Sequence, residues 1–177
     1  MKIHVRHSKR EDVEAIKTIY TGREAVAGTL QLPYAAEHVW EERLAKPAPG
    51  VHTLVAESVG KENKNTKSEY GATEVKVVGH IVLSVNQNPR RNHSGTIGMA
   101  VLDGYSGEGI GTALLAAVTD LADNWLNLSR IELTVFKDNL AAGKLYEKSG
   151  FIVEGEARHF AFRDGAFVDA LYMARIK

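Results

Sequence analysis

The chain has 177 residues, 44% hydrophobic and 25% charged, with 22 Lys and Arg against 22 Asp and Glu. Such a composition suits one soluble globular domain over residues 1–177 and gives no broad electrostatic pull toward nucleic acid or anionic lipid. With no cysteine there are no disulfides, thiolate metal sites or cysteine nucleophiles, and seven scattered histidines show no ligand spacing, so no metal is expected. No apolar run reaches membrane-spanning length and the first residues lack a secretory leader pattern, so a cytoplasmic protein with no membrane partner is expected.

The chain opens with KIHVRH, alternating around Ile3 and Val5 as a strand does. Ser8 with Glu11 three positions on reads as a helix start, and Val13, Ile16 and Ile19 form a helical stripe. Pro33 interrupts, and residues 35–44 predict a second helix carrying Val39, Trp40 and Leu44. HTLVAES and ATEVKVVGHIVLSV predict adjacent strands, joined by a polar hairpin tip between Gly60 and Gly71. GTIGMAVL is a further strand that runs into the glycines of GYSGEGIG. Ile110, Leu114, Val118, Leu121, Ala122 and Trp125 then recur at helical spacing. RIELTVF is a strand, and DNLAAGKLYEKSG is a helix capped by Asp138 or Asn139 and stopped by Gly150. FRDGAF marks a tight turn between strands over 154–162 and 167–176. The order β-α-α-β-β-β-α-β-α-β-β predicts a mixed α/β domain with a largely antiparallel sheet of about seven strands and four helices.

A strand entering a glycine-rich turn at a helix N-terminus suits an anion, because backbone N–H groups point outward and the helix dipole adds positive charge. A phosphate-binding P-loop needs Gly-Lys-Ser/Thr, whereas Gly111 is followed by Thr112 and Ala113. The spacing Gly107, Gly109, Gly111 in mid-chain also departs from the dinucleotide fingerprint. Asn139 and Tyr146 lie seven positions apart, which puts them on one helix face about 10 Å from each other. Each alone reads equally as a cap and a half-buried aromatic.

Together, Ser106-Gly107-Glu108-Gly109-Ile110-Gly111, Asn139 and Leu145-Tyr146-Glu147-Lys148-Ser149-Gly150-Phe151 resemble the GNAT superfamily of acyl-CoA N-acyltransferases, and the strand order resembles theirs over essentially the whole chain. The resemblance implies a wedge between GTIGMAVL and RIELTVF that takes acetyl-CoA. Its diphosphate would rest on the amides of Gly107, Glu108, Gly109, Ile110, Gly111 and Thr112, and its pantetheine arm along Met99, Ala100 and Val101. Asn139 would hold the arm. Tyr146 would protonate the departing thiolate, for which a phenol near 10 and a thiol near 8.5 are suitably matched. Ser106 and Glu108 depart from the basic or amide residues common there, which predicts a weaker diphosphate grip.

Direct attack of an amine on the thioester is the economical reaction, and it needs a neutral amine. His93 is the preferred base, since its ordinary pKa near 6.5 suits the task and phosphinothricin-acetyltransferase-type enzymes carry a similarly placed histidine; Glu74, Glu132 and Asp103 are the other candidates. TLQLPY, HVWEERLA, PRRNHSG, DNWLNLSRIELTVFKDN and HFAFRDGAFVDALYMARIK resemble bacterial L-amino-acid N-acetyltransferases. That resemblance implies an acceptor pocket from Thr29, Leu30, Gln31, Leu32 and Tyr34, with His93, His159, Phe160 and Phe162, and a cation among Arg90, Arg91 and Arg158 for a carboxylate. A hydrophobic L-amino acid is the implied acceptor. The alternatives are an amine-bearing drug or herbicide, a protein N-terminus, or a CoA-sensing domain with little turnover. The family resemblance also implies a homodimer.

Overall fold

The computed structural model describes residues 1–34, 40, 42, 48–59 and 75–177. Apart from Trp40 and Glu42, the helix expected over 35–44 lies outside the described residues, as do the linker from Gly60 to Gly71 and Glu74. The strands are β1 (Lys2–His7), β2 (Val51–Val59), β3 (Val75–Val85), β4 (Ser94–Val101), β5 (Arg130–Phe136), β6 (Ile152–Arg163) and β7 (Ala166–Ile176). The helices are α1 (Val13–Thr21), α2 (Arg23–Gly28), α3 (Ile110–Asp120) and α4 (Leu140–Lys148). The seven expected strands and the helices before β5 and β6 are present, in a single sheet ordered β1-β2-β3-β4-β5-β7-β6, while α2 precedes the segment where the second helix is expected. Every neighbouring pair is antiparallel except β4 with β5, which the α3 crossover makes parallel.

Helices cover both faces of the sheet. A Cβ on Gly79 would strike Ile110 and Leu114, so that residue of β3 faces α3. Its neighbour His80 faces the other way, toward Tyr20 of α1. Ile16 and Ile19 fill the α1 side, and Ile110, Leu114 and Val118 the α3 side. In β4 the even-numbered residues share the α1 face with His80, because Ala100 lies opposite it, and Met99 and Val101 take the α3 face.

Local chemistry differs from the sequence expectation at three places. The Ser8 cap is not formed: Ser8 N–H still pairs with Thr53 C=O at 2.9 Å, prolonging the β1–β2 contact. The helix start moves one residue on, where Lys9 N–H donates to Asp12 at 2.7 Å and Arg6 clamps the same carboxylate with two bonds of 2.7 and 2.8 Å. Extended backbone at Gly22 then separates α1 from α2, a short helix with no apolar stripe to announce it. Third, α3 passes at Asp120 into a π turn, Leu121–Trp125, closed by Leu126 N–H on Leu121 C=O at 3.1 Å. The wider turn rotates Trp125 out of the apolar stripe, leaving it 77% exposed.

Candidate active site

The glycine turn runs into the start of α3, where the amides of Ile110, Gly111 and Thr112 have no intrahelical acceptor. Gly104, Gly107 and Gly109 take left-handed φ values of 80°, 81° and 83°, which other L-residues adopt only with strain. Gly109 caps α3, whose first intrahelical bond runs from Ala113 N–H to Gly109 C=O at 3.0 Å. The N–H groups of Ile110, Gly111 and Thr112 therefore point out of the helix end. Gly107 has nothing within 4 Å of where a Cβ would stand, so the turn's outer side is open. Gly111 serves packing instead: a Cβ there would lie 2.7 Å from Leu145 of α4 and 3.4 Å from Met99. Glu108 is exposed.

Beside this turn the sheet splits. Pairing of β4 with β5 covers only Ser94–Arg130, Gly95–Ile131 and Thr96–Glu132, and beyond it the strands part. On the other edge of β4, Leu102 N–H donates to Val78 C=O and Asn86 N–H to Ser94 C=O, both at 2.9 Å. Even-numbered residues therefore spend their amides on β3, and the period of two turns those of Met99 and Val101 into the gap. Ala100, expected with them, directs its amide to His80 instead.

Helix α4 flanks the gap on the α3 side. Asn139 is its cap, accepting from Ala142 N–H at 3.2 Å, and Gly150 ends it with φ 87°. Because Oδ1 is the acceptor, Nδ2 is the end of Asn139 left to donate; it lies 3.2 Å from where a Cβ of Gly28 would stand. Tyr146 is 8% exposed, packed edge-on against Phe151 with ring centroids 5.8 Å apart. Burial pushes its phenol up to about 12, so it carries its proton throughout the neutral range.

The opposite face of the gap is open. Thr96, Gly98 and Thr134 are exposed there, and Gly98 again has nothing within 4 Å of a Cβ position. An aromatic wall borders it. Phe160 meets Phe136 and Tyr172 edge-on at 6.3 Å each, and Tyr172 is paired across from Thr134. Phe160 reaches this place through a bulge in which Arg158, His159 and Phe160 stand against the single residue Asp169. His159 holds φ 49°, donates its N–H to Asp169 at 2.8 Å and stacks on Phe167 at 4.7 Å.

Several other expected residues are exposed. Leu30 and Leu32 are 65% and 76% exposed and Tyr34 fully so, while Thr29 bonds Ala25 C=O and Gln31 N–H to finish α2. Phe162 is exposed against Phe167. His93 is exposed at the paired end of β4, its carbonyl held by Ser129 and Arg130 N–H groups. Among the other candidate bases, Asp103 accepts from Arg23 and Glu24 N–H at 2.8 and 3.2 Å and so caps α2. Glu132 lies between Arg91 at 2.7 Å and Arg130 at 2.5 Å, which more than offset its burial and hold it below the usual carboxylate range.

Helix α2, which sequence periodicity missed, joins the two lips of the gap. Its start is tied to the segment after β4 by Asp103 and by Ser106 Oγ, which donates to Glu24 at 2.5 Å. Its end is tied to the segment after β5 through Arg163, the last residue of β6, which donates to Ala27 C=O at 2.6 Å, pairs with Asp138 and covers Phe136. These long-range contacts leave no periodic trace.

An open β4–β5 wedge beside a helix start with free amides defines an acyl-CoA-handling fold, and the chain matches the Acetyltransferase (GNAT) family over residues 23–151. It belongs to that family and is an N-acetyltransferase. Over 176 residues it is 40% identical to the L-amino acid N-acetyltransferase AaaT of Escherichia coli (strain K12), covering 99% of each chain. The fold is shared with the spermidine N-acetyltransferase of Vibrio cholerae in complex with CoA and spermine, at 21% identity and TM-score 0.78 over 98% of this chain and 95% of that one. It is also shared with yncA of Salmonella typhimurium, solved with acetyl-CoA, at 19% identity and TM-score 0.75 over 98% and 93%. Among the described residues no helix is long and apolar enough to cross a membrane.

Proposed function

We propose that this protein acetylates the α-amine of a hydrophobic L-amino acid, with acetyl-CoA as donor. The observation that carries the reading is the wedge itself. It offers unpaired Met99 and Val101 amides, with the helix-start amides of Ile110, Gly111 and Thr112 at its mouth and an aromatic wall on the open face. The 40% identity with AaaT along the whole chain supports an amino-acid acceptor.

Bound acetyl-CoA supplies an electrophilic thioester carbonyl. The amides of residues 107–112 suit its diphosphate, and those of Met99 and Val101 suit an amide-bearing arm laid along β4 as an added strand. Asn139 Nδ2 is a further donor to that arm. A donor N–H of β4 polarises the carbonyl while the amine nitrogen bonds to its carbon and the C–S bond breaks. Tyr146 gives its proton to the departing sulfur. The amine proton leaves by the open face toward solvent. Glu132 is too weak a base for this step, because two guanidinium groups favour its ionised form. It is better suited to orienting charged groups near the vertex.

The test is thiol release from acetyl-CoA with free L-amino acids, N-terminal peptides and polyamines as acceptors. Turnover concentrated on large apolar amino acids is expected. Turnover confined to polyamines or peptides overturns the acceptor assignment, and CoA binding without turnover on any amine favours a sensing role.

A further inference from the structure

Glu24 is an exposed carboxylate on α2, and its partner is the hydroxyl of Ser106, the residue that opens the glycine turn. A negative charge is the wrong sign beside amides suited to a phosphate. The neighbouring acid does not share this position: Asp103 is engaged by the first two N–H groups of α2, which a carboxylate stabilises. Among the described residues no cation pairs with the Glu24 carboxylate, which a single hydrogen bond holds on the turn. The hydroxyl has one proton to donate, and while Glu24 takes it that proton is withheld from any anion on the turn.

We infer that Glu24 is a negative determinant of donor affinity: held against the turn by Ser106, it loosens the grip on the diphosphate and speeds release of CoA. The inference rests on reading residues 107–112 as the diphosphate site. Two unit charges about 7 Å apart in water weaken binding by a factor of about three, and two charges on the ligand raise that to about seven. Screening near physiological salt reduces the factor to about two. Product release is the slow step in many enzymes, so even a modest factor bears on turnover.

The experiment is calorimetric titration of CoA, without acceptor or turnover, into the wild type, Glu24→Gln and Glu14→Gln. The amide oxygen of the introduced glutamine still accepts from Ser106, so the substitution removes charge and keeps the turn. Glu14 is an α1 surface acid near Lys17 and controls for net charge. Glu24→Gln is expected to bind CoA about three- to sevenfold more tightly at low salt, narrowing to about twofold near 0.15 M salt, with Glu14→Gln matching the wild type. Equal or weaker binding by Glu24→Gln, or an equal gain in Glu14→Gln, overturns the assignment while leaving the diphosphate reading intact. A wild type that does not bind CoA removes that reading and this inference with it.

Discussion

Tyr146 shows how burial and acid strength pull against each other in one side chain. Packing against Phe151 removes the phenol from water and pushes it up to about 12, which would make it a poor match for a free thiol near 8.5. A thiolate leaving beside this buried phenol would lose hydration as well, so its basicity would rise alongside and much of the gap between the two groups would close. A neutral phenol is also the only form that can donate, and burial guarantees that form. Tyr146→Phe keeps the ring and its packing, and is expected to leave CoA affinity within about twofold while lowering kcat by roughly 10²- to 10⁴-fold, the usual worth of a positioned general acid. Steady-state kinetics alongside CoA titration decide it; unchanged kcat would remove Tyr146 from the proton path.

Elements position these residues through contacts that sequence periodicity reports unevenly. The β6 bulge is an instance: three residues stand opposite Asp169, which ties β6 through its carboxylate on His159 N–H and β5 through its carbonyl on Lys137 N–H at 2.9 Å. Bulges beside active sites re-aim side chains, and here the one re-aimed is Phe160. Asp169→Ala takes away the carboxylate clamp without touching the wedge, so kcat/KM should fall about tenfold for phenylalanine or methionine and far less for alanine, with CoA affinity unchanged, as expected if the wall grips large side chains; an equal loss across acceptors would make the bulge merely structural. Features with local causes are legible in the sequence, among them the Asn139 cap, the left-handed Gly150 and the turn in which Asp164 and Gly165 both take positive φ. The glycine turn is legible for the same reason. What stays hidden depends on partners far along the chain. Ser8 is drawn into strand pairing with Thr53, Asp103 becomes the cap of α2, and Arg163 joins α2 to the lip of the wedge. The residues from Leu30 to Tyr34 read as pocket walls by resemblance, and in the structure Leu30, Leu32 and Tyr34 are exposed beyond the end of α2.

At the scale of the whole molecule, one sheet must bury both faces, and β3, beside the central strand β4, carries a histidine into the α1 side. His80 is 2% exposed, its Nδ1 lies 3.1 Å from Tyr20 Oη, and its Nε2 has no partner among the described residues. Burial pushes its pKa down to about 4 from 6.5, against the opposing pull of Asp12. Between those values the unfolded chain binds a proton that the folded chain refuses, so stability falls as pH drops through that window and levels off below it. The full span is worth about 3 kcal/mol, of which about 2 is lost between pH 7 and pH 5. Asp12, Glu57 and Glu132 are held low by arginines that outweigh their burial and lose their contribution only at more acid pH, so they leave this window nearly undisturbed. Urea unfolding at pH 5, 6 and 7 on the wild type and His80→Phe separates the effects. The variant is less stable at neutral pH, because Tyr20 loses its ring-nitrogen partner, but its stability should change by about 2 kcal/mol less between pH 7 and 5. Parallel pH dependences in the two proteins would show that His80 titrates in the fold much as it does in the unfolded chain.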